Sequence, residues 1–138
     1  MWPWKRKKKV VSEKEVIKFS MNKRVPIIQV ELNGKKAKFL IDSGASLNIL
    51  DKNAAKEYGF KTYSSSDSTV TGIGGAEEIL SVGGTDVVIN GKKVRMPFKS
   101  IDLSNVVSKL GIVGIIGSRW LSQQGYIIDY CDHTIYQK

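Results

Sequence analysis

Hydrophobic residues recur at every second position along much of the chain, which is the period of β-strands. Ile17, Phe19 and Met21 follow this period and predict a short strand over Glu15–Met21. Further strands are predicted where β-branched and apolar residues stand between turn residues: Val25–Glu31, Ala37–Ile41, Asp86–Ile89, Val94–Phe98, Ile112–Ile116, Tyr126–Tyr130 and Thr134–Tyr136. So many short, closely spaced strands predict an all-β protein, a small barrel or sandwich.

Turn residues join several of these strands into hairpins. Asn33-Gly34 links the strands on either side of it, and Asn90-Gly91 does the same later in the chain. A third hairpin is predicted from Thr69–Thr71 to Glu78–Leu80, with the glycine-rich segment Gly72–Gly75 at its tip.

Two short helices are predicted within this β-rich pattern. Asp51 can cap a helix that continues to about Tyr58, and Gly59 suits its C-terminal end. A second helix is predicted over Ser118–Gln124, ending at Gly125. Ser104–Leu110 is ambiguous and is interpreted as a helical turn.

Length and composition fit one globular domain. The chain has 138 residues, of which 41% are hydrophobic and 25% are charged, and both fractions argue against a disordered protein. No stretch approaches the roughly 18 apolar residues of a membrane span. One cysteine, Cys131, excludes an internal disulfide framework, and one histidine, His133, excludes a Cys/His zinc cluster. A Ser-His-Asp hydrolase would depend entirely on His133, which is interpreted as a turn residue.

The net charge of +9 is concentrated near the N-terminus. Residues 1–25 hold nine Lys/Arg and two Glu, whereas the rest of the chain has a net charge of only +2. Residues 1–14 are therefore interpreted as a flexible basic arm, and residues 15–138 as the folded domain. The run Lys5–Lys9, beside Trp2 and Trp4, could contact nucleic acid or an anionic surface, although a solvated basic end is the simpler interpretation.

The most informative residue is Asp42, which ends the predicted buried strand. Three apolar residues, Phe39–Ile41, precede it, and the small residues Ser43, Gly44 and Ala45 follow it. Burying a carboxylate without a partner is costly, so a chemical task would explain this position. Two carboxylates that share a proton can provide general acid and general base catalysis. The tripeptide Asp-Ser-Gly alone favours a simpler interpretation, in which Asp42 is a turn or helix-cap residue before an ordinary loop.

Three further features accompany Asp42 in a fixed order. A hairpin delivers Asp42 on its second strand, the tip Gly72–Gly75 follows about thirty residues later, and Ile115-Ile116-Gly117 leads into the last predicted helix. Over Val25–Gly125 this ordered set resembles the retropepsins, the dimeric aspartic proteases of retroviruses and their cellular and prokaryotic relatives. The resemblance implies a small closed β-barrel of the acid-protease type, with one or two short helices and a glycine-rich flap hairpin.

The resemblance also implies roles for individual residues. Asp42 would be the catalytic aspartate, Ser43 would join a hydroxyl network between subunits, and the Gly44 carbonyl would contact substrate. Ile73 would lie at the flap tip, and its backbone N–H would hold a bridging water. Gly117 would pack behind the active-site loop. Gly72, Gly74 and Gly75 would give the flap mobility, and the expected walls of the substrate pockets are Ala45, Leu47, Ile73, Val113 and Ile115. Neither a metal nor a cofactor is implied.

The chain departs from the retropepsin pattern at two positions. Many retropepsins carry an aspartate two residues after the motif glycine and an arginine directly after the later glycine, and these two residues pair. Here the two positions are Ser46 and Ser118. Both charges are absent together, so neither is left unpaired. Arg119 follows one position later, with Asp51 and Asp129 as candidate partners.

A site with two carboxylates requires two chains, because the sequence holds a single Asp-Ser-Gly motif. The resemblance therefore predicts a homodimer that hydrolyses a peptide or polyprotein substrate. The alternative is a catalytically silent module that keeps the fold and binds a partner. No apolar segment follows the basic run, so a secretory signal is not expected. A cytoplasmic location, or carriage in a viral particle, is expected instead.

Overall fold

A computed structural model describes residues 16–72 and 75–137, and only the backbone is described within 65–78. These residues form short strands and three short helices. In chain order they are β1 (Ile17–Lys18), β2 (Ser20–Asn22), β3 (Val25–Leu32), β4 (Lys35–Asp42), β5 (Ile49–Asp51), α1 (Lys52–Glu57), β6 (Thr62–Gly72), β7 (Gly75–Val82), β8 (Asp86–Ile89), β9 (Lys92–Arg95), β10 (Phe98–Ile101), α2 (Ser104–Leu110), β11 (Gly114–Gly117), α3 (Ser118–Gln123), β12 (Tyr126–Asp129) and β13 (Thr134–Gln137).

The strands form two sheets. The larger sheet has the order β6-β7-β10-β5-β11-β4-β3-β8-β9, and β2 also pairs with β3. The smaller sheet has the order β1-β13-β12. The expectation of a mostly β protein with few helices is confirmed. The closed barrel is not confirmed, because the described pairing is an open path whose end strands β6 and β9 do not pair with each other.

Strands β4 and β11 lie side by side in the middle of the larger sheet. They are parallel, and their register places Phe39 opposite Gly114 and Asp42 opposite Gly117. All four residues of β11 are buried, and in β4 Phe39–Ile41 are buried while Lys35, Lys36 and Lys38 are exposed. Phe39 and Ile41 belong to the main core, whereas Leu40 packs in a second apolar cluster on the other face. This burial on both sides explains why the sequence shows a continuous apolar run before Asp42.

Three strand predictions differ from the structure. Glu15–Met21 is divided between β1 and β2, which belong to different sheets, and Phe19 between them donates a backbone hydrogen bond to the carbonyl of His133. Val94–Phe98 is also divided, because Pro97 has no N–H to give to a ladder. The short strand Ile49–Asp51 was not predicted, since Asp51 was interpreted only as a helix cap.

The helix predictions agree well with the structure. The Asp51 carboxylate accepts a hydrogen bond from the Ala54 N–H, which confirms it as the N-cap of α1. The ambiguous segment Ser104–Leu110 is helical, and Gly111 ends it in the left-handed conformation. In the turn before β13, His133 has a positive φ of 53° and stacks against Phe19.

The close approach of β11 to its neighbours predicts a stability effect at Gly114. A Cβ at this position would collide with the Ile49 carbonyl oxygen and lie 2.6 Å from Phe39 Cε1. We expect Gly114→Ala to lower the free energy of unfolding by about 3 kcal/mol through overpacking. Gly125→Ala is the control, because Gly125 has open space around it and only a positive φ to satisfy. It should cost about 1 kcal/mol. Equal denaturant midpoints for the two variants would contradict this account.

Candidate active site

Asp42 is the last residue of β4, where it is partly buried and paired with Gly117 of β11. The three preceding residues are all buried in the two apolar clusters. The side chain therefore begins at a fixed point of the sheet, while the chain beyond it turns into a loop. This is the position that the sequence pattern predicted for a carboxylate at the end of a buried strand.

The turn after Asp42 holds its carboxylate in one orientation. The Gly44 N–H donates to Asp42 Oδ1 at 2.9 Å, and the Ala45 N–H donates to the Asp42 carbonyl at 3.1 Å. A Cβ on Gly44 would lie 3.2 Å from the same Oδ1, closer than most side chains tolerate. Ser43 and Gly44 are exposed. The loop thus presents an oriented carboxylate beside an accessible backbone.

The start of α3 supports the next part of this loop through its backbone. The Ser118 N–H donates to the Ala45 carbonyl at 2.7 Å, and the Arg119 N–H donates to the Ser46 carbonyl at 3.3 Å. Gly117 is in close contact with the loop, since a Cβ there would lie 2.5 Å from the Leu47 carbonyl oxygen. Backbone hydrogen bonds therefore join the two segments at Ser46 and Ser118, the positions where the charged pair of many retropepsins is missing.

Asn48 is a site residue that the sequence analysis missed. Its side chain is buried, accepts the Gly117 N–H through Oδ1 at 2.9 Å, and donates to the Pro97 carbonyl at 3.2 Å. Its own carbonyl accepts the Lys99 N–H at 3.0 Å. Asn48 thus ties the loop both to β11 and to β10. The sequence does show a polar residue between the apolar residues Leu47 and Ile49. Its hydrogen-bond partners are 49 and 69 residues away, so the sequence pattern could not identify them.

The glycine-rich hairpin is formed by β6 and β7. These strands are antiparallel and pair as far as Gly72 and Gly75, with a register shift between Ser64 and Thr69. Ile73 and Gly74, the predicted tip, lie outside the described residues. The predicted basic arm, including Lys5–Lys9, also lies outside them.

The predicted pocket residues lie in three different places. Leu47 lines a cavity of about 320 Å³ beside the active-site loop. Val113 lines a separate cavity of about 280 Å³, together with Lys38 and Tyr58. Ile115 is buried in the second apolar cluster, with Ala45 packed against it. The described cavities of a single chain therefore do not bring Leu47 and Val113 together.

Neither candidate partner of Arg119 pairs with it. Asp51 is buried, and its two carboxylate oxygens accept the N–H groups of Ala54 and Leu103. Asp129 Oδ1 accepts two backbone N–H groups of the turn that follows it. Among the side chains that the structure describes, in residues 16–64 and 79–137, Arg95 pairs with Asp86 at 3.3 Å.

The described part of the chain lacks two features, a cluster of metal-binding side chains and a membrane-spanning helix. It holds no group of three or more His, Cys, Asp or Glu side chains placed to bind a metal ion. It also holds no helix long and apolar enough to cross a membrane.

Comparison with known proteins finds a family similarity over the part of the chain that contains the loop. A family model described as "Aspartyl protease" matches residues 28–120, which include Asp42 and extend to Trp120 in α3. No curated protein sequence matches the chain significantly.

Several solved structures share the fold. The retroviral protease-like domain of Ddi1 from Leishmania major is 20% identical, with a TM-score of 0.61 and coverage of 88% of each chain. A retropepsin-like aspartic protease from Rickettsia conorii is 26% identical, with a TM-score of 0.59 and coverage of 88% of this chain and 87% of the other. EIAV protease, solved with the inhibitor HBY-793, is 22% identical over 75% of this chain and 90% of its own, with a TM-score of 0.53.

The contacts of Asn48 predict that this residue stabilises the loop. Asn48→Ala would leave the buried Gly117 N–H without an acceptor, so we expect a loss of about 1–3 kcal/mol in the free energy of unfolding. Asn53→Ala is the matched control, because Asn53 is exposed on α1 and its replacement should change stability by less than about 0.5 kcal/mol. Denaturant unfolding of both variants measures the difference. A neutral Asn48→Ala would show that the loop does not depend on this side chain.

Proposed function

The chain belongs to the aspartyl protease family, and from this premise we propose that it is an aspartic endopeptidase that works as a homodimer. The observation that carries the proposal is Asp42, held by the Gly44 N–H directly after the buried residues Phe39–Ile41 of β4. The resemblance to a retropepsin-like aspartic protease from Rickettsia conorii, over 88% of this chain, supports it.

The dimer is proposed because one chain supplies one carboxylate of the required kind. Asp67, Asp86 and Asp102 are followed by Ser-Thr, Val-Val and Leu-Ser, so none of them repeats the Asp-Ser-Gly motif. Two Asp42 side chains would meet on a twofold axis. The exposure of Ser43, Gly44 and Ser46 in the single chain is compatible with a partner covering this loop.

In the proposed mechanism, the two Asp42 carboxylates share one proton and hold a water between them. The ionised carboxylate takes a proton from this water, which attacks the carbonyl carbon of the peptide bond. The protonated carboxyl gives its proton to the carbonyl oxygen, and a tetrahedral diol forms. A proton then moves to the amide nitrogen, and the C–N bond breaks to release an acid and an amine. No covalent intermediate with the enzyme forms.

Substrate is proposed to bind in an extended form beneath the β6–β7 hairpin, which would act as the flap. An extended peptide can hydrogen-bond to strand edges and flap, and its alternate side chains can enter pockets. Glycines at 72, 74 and 75 favour a hairpin that can open and close. Gly44 offers its exposed carbonyl to the same peptide.

The first test removes the charge of the catalytic aspartate. Asp42→Asn should abolish cleavage in a peptide-library assay, because an amide cannot act as the general base, while the dimer should remain folded by circular dichroism and sedimentation. Asp132→Asn is the control, since Asp132 is exposed in the last turn and should leave turnover unchanged. Substantial turnover by the Asp42→Asn dimer would refute the assignment. Loss of activity in both variants would point to a general defect of folding.

The second test asks whether the two carboxylates belong to different chains. Wild-type and Asp42→Asn chains are refolded together, and mixed dimers are verified by native mass spectrometry with tagged subunits. A dimer needs two intact aspartates, so an equal mixture should retain about a quarter of the activity of wild type at the same total concentration. Retention of half would mean that each chain works alone. A protein that stays monomeric at every concentration would also overturn the proposed dimer.

A further inference from the structure

A cavity of about 320 Å³ opens beside the proposed catalytic loop. One wall is Ser46–Asn48, which continues directly from the Asp42 turn. A second wall is Ser81 and Val82, at the base of the hairpin that is proposed to close over substrate. The remaining walls come from β10 with Pro97 before it, and from α3. A peptide held between loop and hairpin would therefore pass the mouth of this cavity.

The cavity carries positive charge and no described negative charge. Among the side chains that the structure describes, its charged lining residues are Lys99 and Arg119, and no carboxylate lines it. Lys99 is partly buried, and its ammonium donates to the neutral Ser81 hydroxyl at 2.9 Å. An ammonium has three protons to donate, so two remain for a ligand. Arg119 is exposed, while its backbone is fixed by the bond to the Ser46 carbonyl.

Part of the lining is apolar and belongs to the core. Phe98 and Trp120 are buried in the main core, with Val82 packed against it, and the Trp120 ring stacks on Tyr126 with ring centres 5.2 Å apart. Burial raises the pKa of the Tyr126 phenol, so the ring on which Trp120 stacks stays uncharged at neutral pH. The Asn48 amide makes one hydrogen bond at each end, accepting from the Gly117 N–H and donating to the Pro97 carbonyl. A bound side chain with one or two methylene groups can pack on this apolar wall while its end group reaches Lys99 and Arg119.

We propose that this cavity is a substrate side-chain site that selects an acidic residue, Glu or Asp, in the cleaved peptide. The inference rests on the proposed endopeptidase function and adds the class of side chain that one site prefers. A carboxylate can bind the planar guanidinium of Arg119 through two hydrogen bonds and the Lys99 ammonium through a third. Low exposure of Lys99 strengthens this attraction relative to a fully solvated lysine.

The test compares peptides that differ only in charge at one position. A peptide library first identifies cleaved sequences, and each position is then scanned with Glu, Gln and Lys. We expect one position at which Glu raises kcat/KM over Gln by about tenfold or more, the range of a charge-assisted hydrogen bond. Arg119→Gln and Lys99→Met should each reduce this ratio strongly, and Arg119→Glu should favour Lys over Glu. The matched control is Lys92→Met, on exposed β9 outside the cavity, which should keep the wild-type ratio.

A binding measurement separates this inference from the proposed activity. Fluorescence anisotropy of the same Glu and Gln peptides with folded Asp42→Asn protein should show tighter binding of the Glu peptide, and Arg119→Gln in that background should remove the difference. Cleavage without any Glu preference at any position would overturn the acidic site and leave the protease proposal standing. Absence of cleavage of every peptide by wild type would instead contradict the protease proposal. A preference that survives in both cavity variants would place acidic recognition elsewhere and also overturn the inference.

Discussion

The close parallel contact between β4 and β11 is the constraint on which the candidate site depends. Gly114 and Gly117 leave no space for a Cβ, so the backbone of β11 can approach both the sheet and the loop after Asp42. That approach lets the first residues of α3 donate hydrogen bonds to the Ala45 and Ser46 carbonyls. One pair of strands therefore fixes the carboxylate, its loop and the helix behind it. A larger residue at either glycine would move all three together.

The absence of the charged pair at positions 46 and 118 changes how the loop is held. In this chain Asn48 and two backbone bonds connect the loop to its surroundings, and neither type of contact requires a buried ion pair. Arg119, one residue beyond Ser118, does not serve as a replacement partner, because Asp51 is already committed to two N–H groups. Arg119 lines the cavity beside the loop. In the proposed acidic site, its guanidinium would bind the substrate carboxylate there.

Local patterns predicted most of the strands and helices, but not the contacts that tie them together. The apolar run before Asp42, the Asn-Gly turns and the Asp51 cap are short-range signals, and the structure has an element at each. Asn48 and the 320 Å³ cavity depend on segments far apart in sequence, so no periodicity could reveal them. Pro97 was a local signal that should have ended the predicted strand Val94–Phe98 before it. Leu47, Val113 and Ile115 were grouped by resemblance, and in one chain they face different surroundings.

In the proposed dimer, each chain would fold with one Asp42 carboxylate, and catalysis would need the carboxylates of two chains. Within one chain Asp42 is partly exposed, bonded to the Gly44 N–H and not opposed by another carboxylate, so the single domain bears little electrostatic penalty for carrying it. In the proposed dimer, the penalty of bringing two carboxylates together would arise only when two chains meet, and contacts between the chains would have to offset it. Activity would then follow the concentration of the dimer by mass action rather than the amount of folded chain. Under this proposal, the interface between the two chains would control when peptide bonds are cut.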